Sequence, residues 1–132
     1  MKLRNAFLAV SFFVISGFSS TVIAASCGQA PEAVQGRFND MMQALVKDSY
    51  SSFVTDSSET FRQALTPAAF AQMSKTLQEK LDLQAGYRSE YVTDLRQGAI
   101  TSYVWRLTLH DGNQILMQLS MRDKKVVGLH LI

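Results

Sequence analysis

From residue 31 onward the apolar positions first recur at helical spacing and then switch to alternation. Val34, Phe38, Met41, Met42, Leu45 and Val46 fall at intervals of 3, 4 and 7, one face of a helix over residues 31–47. Pro31 and Glu32 suit its first turn and Lys47 its last. Asp48-Ser49 interrupts the stripe, and Tyr50, Phe53 and Val54 make a short helical turn. Asp56-Ser57-Ser58-Glu59 reads as a capping box, with Asp56 as N-cap, opening a short helix that carries Phe61 and Leu65. Thr66-Pro67 marks another helix start, N-cap then first helical residue. Phe70, Met73, Leu77 and Leu81 form the stripe of a second long predicted helix, 67–82, with Gly86 as a stop signal beyond it.

After Gly86 the period becomes 2, and four strands fit: 87–95, 99–110, 114–122 and 126–132. Three-residue turns at Arg96-Gln97-Gly98, Asp111-Gly112-Asn113 and Asp123-Lys124-Lys125 keep one sheet face apolar. That register predicts inner rows of Tyr91, Tyr103, Met121 and Val127; of Ser89, Trp105, Leu119 and Leu129; and of Tyr87, Leu107, Met117 and Leu131. The predicted architecture is α+β, with N-terminal helices packed on a curved four-stranded antiparallel meander around one core.

The start of the chain has a different character. Lys2 and Arg4 precede the apolar run Ala6–Ile15, and the small residues Ser16, Gly17, Ser19, Ser20, Thr21, Ala24 and Ala25 follow, the order of a secretory signal peptide. The domain reading is therefore a signal peptide over 1–25, a flexible lead over 26–30 and one domain over 31–132. Cutting after Ala24 or Ala25 exports the remainder to the periplasm or beyond. The alternative, a retained anchor, needs about 20 apolar residues, and the Ser and Thr residues between 16 and 21 dilute the stretch.

Removing the signal changes the charge balance. The chain has 13 basic and 11 acidic residues, and losing Lys2 and Arg4 leaves 11 of each. A neutral domain without a basic run argues against nucleic acid. The single cysteine, Cys27, cannot form an internal disulfide. The sequence shows no Cys/His cluster for a metal, no glycine-rich phosphate loop and no nucleophile elbow, so no metal and no cofactor is expected. Met41, Met42, Met73, Met117 and Met121 fall on apolar stripes and read as core filling rather than a soft-metal site.

Several stretches together resemble the nuclear transport factor two-like, or cystatin-like, superfamily. They are Phe38…Leu45…Asp48-Ser49-Tyr50…Phe53, Phe61-Arg62…Leu65-Thr66-Pro67…Phe70, Tyr103-Val104-Trp105…Leu107 and Lys125-Val126-Val127-Gly128-Leu129. Within it the chain is similar to small secreted domains of unknown function, some of them found beside α/β-hydrolase domains. The resemblance implies a sheet curved over the long helix, with a pocket between the two. Some proteins of this fold are isomerases or dehydratases, and others bind ligands or partners.

The predicted inner rows hold no acid or base, because Arg88, Glu90, Asp94, Arg96 and Arg106 all have outward parity. No catalytic residue is assigned. Tyr87, Tyr91, Tyr103 and Trp105 are ligand-pocket candidates or else core aromatics. On the outer face the same register aligns Arg106, Gln118 and His130, bordered by Leu116 and Ile132, as a candidate surface for a homodimer or a partner. The expected function is an exported, non-enzymatic binding or interaction module for a partner protein or a small apolar ligand. The alternative is a pocket enzyme of isomerase or dehydratase type. Cys27 follows Ala24-Ala25-Ser26, a loose lipobox, so membrane attachment is expected only if that thiol is lipidated. Intact mass of the protein recovered from its host tests the processing: the expected species starts at Ala25 or Ser26, and a mass carrying acyl chains on an N-terminal Cys27 would replace it.

Overall fold

The computed structural model describes residues 28–132. The predicted signal peptide and Cys27 lie outside the described residues. Helix α1 spans Glu32–Lys47, α2 Tyr50–Phe53, α3 Glu59–Ala64 and α4 Pro67–Leu81, followed by a 3-10 turn at Leu83–Ala85. Four strands follow, β1 Tyr87–Gln97, β2 Ile100–Leu109, β3 Gln114–Arg122 and β4 Lys125–Leu131, in one antiparallel sheet of order β1-β2-β3-β4. This is the α+β meander that the periodicity predicts.

Helix α1 carries the contact between the layers. Its stripe buries Val34, Phe38, Met41, Met42 and Leu45, and the Phe38 ring stacks on Trp105 of β2 with centroids 4.0 Å apart and planes 8° from parallel. Both side chains are fully buried. Leu107, Met117, Leu119 and Val126 from the sheet complete the core with Phe53, Phe70 and Leu83. Helix α4 packs on α1 and α2, and of its predicted stripe Phe70 is buried while Met73, Leu77 and Leu81 are partly so.

The helix ends show how the chain satisfies its backbone. The last carbonyls of a helix lack intrahelical partners. In α1, Leu45 O accepts from Ser74 Oγ at 3.2 Å and Gln78 Nε2 at 2.9 Å, and Val46 O accepts from Gln84 Nε2 at 3.2 Å. Asp48 ends α1 in the left-handed region. The N-cap of α4 is Thr66, whose hydroxyl accepts from Ala69 N–H at 3.2 Å, as predicted. The predicted capping box is displaced. Ser58 caps α3, accepting from Phe61 N–H at 3.1 Å, and Glu59 turns to Arg62 and Gln63. Asp56 instead sits at φ 58°, and its carbonyl accepts the Val126 N–H at 2.9 Å, tying the turn to β4.

The strand register differs from the predicted one for a definable reason. Two of the three turns have two residues, Gly98-Ala99 and Asp123-Lys124, rather than three. Asp123 and Lys124 both have positive φ, as a type I′ hairpin requires. A turn shortened by one residue reverses the face of every side chain that follows, and each of these hairpins reverses it again with a bulge, at Val92 in β1 and Val127 in β4. The β2–β3 turn has three residues but starts earlier, with Leu109 N–H bonded to Asn113 O at 2.8 Å. The inner rows are therefore Tyr91, Trp105, Met117 and Leu131, then Asp94, Tyr103, Leu119 and Leu129, then Thr101, Met121 and Val126. Val126, not Val127, points into the core. Two predicted parities are corrected: beyond the Val92 bulge, Asp94 and Arg96 share the face of Tyr103 and Thr101.

The Phe38–Trp105 stack makes a quantitative test. Phe38→Ala removes the ring joining the layers and should cost about 3–5 kcal/mol, read as a lower denaturation midpoint. Phe61→Ala, only partly buried at the edge, should cost less; the reverse order would show that the layers are held elsewhere.

Candidate functional site

Trp105 is a core residue: it is fully buried, with Nε1–H donating to Gln35 Oε1 at 3.0 Å. That bond leaves the indole no free polar edge. Tyr91 meets Trp105 edge-on at 5.6 Å, and Tyr103 packs against it at 6.4 Å. Tyr87 lies at the start of β1, opposite Leu109, where burial raises its phenol pKa. The four candidates therefore do not converge on one cavity. Tyr103 lines one surface cleft, and Tyr91 lines a different, polar depression with Gln35, Asn39 and Glu32.

The Tyr103 cleft runs between α1, the Asp56 turn and the turns that close the β1–β2 and β3–β4 hairpins. Its volume is about 430 Å³, within the range of small-molecule sites. Val34, Tyr103 and Met121 supply an apolar floor, and Ala33 and Ala99 leave it open. Arg37, Asp56, Asp123 and Lys124 supply charge.

Arg37 is the unusual member. It is a charged side chain with only 8% exposure, placed on the apolar side of α1. Its Nη2 donates to Ser52 O at 3.1 Å and Phe53 O at 3.0 Å, satisfying the end of α2. Nη1 stands 3.9 Å from Asp40, whose carboxylate is 72% exposed. Among the described residues, the buried Nε–H has no hydrogen-bond partner. Desolvation lowers the Arg37 pKa, only partly offset by Asp40 and Asp56. Sequence reasoning missed this residue because a charge inside an apolar stripe is easily assigned to the solvent side. Its position three residues after Val34 and one before Phe38 was the available signal.

On the outer face, Gln118 and His130 are cross-strand neighbours as predicted, but Arg106 is not beside them. The shifted β2–β3 turn puts Arg106 opposite Leu116 and Val104 opposite Gln118, and the β1–β2 register puts Glu90 on the other side of Arg106. Arg106 Nη2 and Nε donate to Glu90 Oε2 at 2.9 and 3.2 Å. Ile132 is 67% exposed, and its N–H donates to Leu116 O at 3.0 Å.

The fold and cleft define the class: a small α+β domain whose helices precede a meander sheet, with a ligand-sized cleft at one end of the layer contact. Among the described residues there is no cluster of three or more metal-ligating side chains, and no helix is long and apolar enough to cross a membrane. The chain matches no family model and no curated protein.

The inner-side carboxylate made by the Val92 bulge is bound to a phenol. Tyr91 O–H donates to Asp94 Oδ1 at 2.6 Å. Burial first, then this bond and the Asp94 charge, raise the Tyr91 pKa well above that of an ordinary phenol. The folded state thus holds the proton more tightly: its stabilisation is present below the ordinary phenol value and is lost as pH rises through the folded one. In an alkaline titration followed by phenolate absorbance, Asp94→Asn should bring one tyrosine's ionisation part of the way back down. Superimposable curves would mean that Asp94 does not hold that proton.

Proposed function

We propose that the chain is an exported, non-enzymatic binding module, and that a small, mainly apolar ligand enters the cleft over Val34, Tyr103 and Met121. The observation that carries this reading is the division of labour on the inner face. Trp105, Leu107, Met117 and Leu119 are packed against α1 and its neighbours, while the adjoining rim keeps an open apolar floor. A filled core leaves binding to the rim, where an apolar molecule gains about 25 cal/mol per Å² of surface removed from water. The export reading rests on the n-, h- and c-region order of residues 1–25, and the superfamily reading on the resemblance together with the observed element order.

The enzyme alternative has one observation in its favour, the inner-side Asp94. That carboxylate is exposed and engaged by Tyr91, whereas a general base must reach the substrate's proton. The binding reading is therefore preferred.

Nile red, an uncharged dye that fluoresces in apolar surroundings, tests the cleft. The mature domain should enhance its emission, and Ala33→Trp should abolish most of that enhancement. Ala33 is exposed at the cleft edge, so this change fills the site without entering the core. Unchanged emission with Ala33→Trp, or none with the unaltered domain, would rule the cleft out.

A further inference from the structure

The chemistry of the ligand's polar end follows from Arg37, granted the binding reading above. A buried cation needs close anionic or hydrogen-bonding partners to offset lost hydration. Arg37 has two carbonyls, one carboxylate at 3.9 Å and an Nε–H with no partner among the described residues. That Nε–H is itself closed off from solvent, so an incoming anion meets the guanidinium at its Nη atoms. The side chain lines the cleft that has the apolar floor.

We propose that this cleft takes an amphipathic monoanion, a carboxylate on a short aliphatic chain. Its head group pairs with the Arg37 guanidinium, and its tail lies on Val34, Tyr103 and Met121. Lys124, on the opposite rim, adds a second positive charge. Asp56 and Asp123 stand on the same rim, but both are exposed, and solvent screens exposed charges far more than buried ones. Lys124 is exposed as well, so the three rim charges are screened alike and the buried Arg37 dominates the field inside the cleft. Arg37 also lines a depression on its other side, with Asp40, Gln43, Lys47, Ser49 and Thr55. Of the residues lining that side only Ala44 is apolar, too small a floor for a tail, so the amphipathic ligand belongs on the Tyr103 side.

Competition against bound Nile red, with octanoate and with 1-octanol, separates the inference from the reading beneath it. The expected result is at least about tenfold tighter displacement by octanoate, the gain of a charge-assisted pair. Lys124→Asn, which suits a left-handed turn position, should weaken octanoate a few-fold and leave octanol unchanged. Arg37→Gln should erase the preference for octanoate. Because that variant also loses donors to the end of α2, a measurement on the unaltered protein stands beside it. In proton–nitrogen correlation spectra, the Arg37 Nε–H resonance should move with octanoate and stay in place with octanol. Equal displacement by the two molecules, or an unmoved Arg37 resonance at saturating octanoate, overturns the anion assignment and leaves the apolar cleft standing. Failure of Nile red to bind at all overturns both.

Discussion

The stack of Phe38 on Trp105 is the contact on which the rest of the domain depends. Each ring belongs to a different layer, and each is fully buried against the other and the core around them. A sheet with one apolar face and a helix with one apolar stripe are both incomplete alone. Their union sets the distance between the layers. It also decides which residues at the margin remain reachable from solvent, and the cleft over Tyr103 lies at that margin.

Polar groups finish what the stack begins. The indole N–H finds Gln35, the end of α1 finds Ser74, Gln78 and Gln84, and the end of α2 finds Arg37. Each bond contributes modestly, but each would leave a costly orphan if absent. Arg37 differs from the others in carrying a charge. Burial penalises that charge, and the nearby Asp40 and Asp56 carboxylates offset the penalty only in part. One residue thus completes a helix end and shapes the electrostatics of the cleft.

The hairpins show how small local choices set the surface. Gly98-Ala99 and Asp123-Lys124 each form a turn one residue shorter than the alternation suggests, and bulges at Val92 and Val127 restore the faces. The bulges have chemical consequences. The first brings Asp94 to the side of Tyr91 and Tyr103, where it accepts the phenol hydrogen. The second lets Val126 enter the core while Val127 stays near the surface. On the outer face, the displaced β2–β3 turn moves Arg106 off Gln118, breaking up the predicted row of Arg106, Gln118 and His130, and the β1–β2 register sets Arg106 against Glu90.

By itself the sequence determined the element order, the helix starts at Pro31 and Thr66-Pro67, the change of period after Gly86, and the pairing of Gln118 with His130. These follow from side-chain periodicity and capping chemistry, which act within a few residues and are written directly in the chain. Tertiary structure decided the rest: the row in which each tyrosine sits, the inward turn of Asp94, the use of Ser58 rather than Asp56 as a cap, and the burial of Arg37. A bulge or a two-residue turn differs from its alternative by a small local energy, so the choice falls to whichever register lets the two layers close on each other. Arg37 was hidden for the same reason. Its partners, the carbonyls of Ser52 and Phe53, lie 15 and 16 residues further along the chain, and only folding brings them beside it.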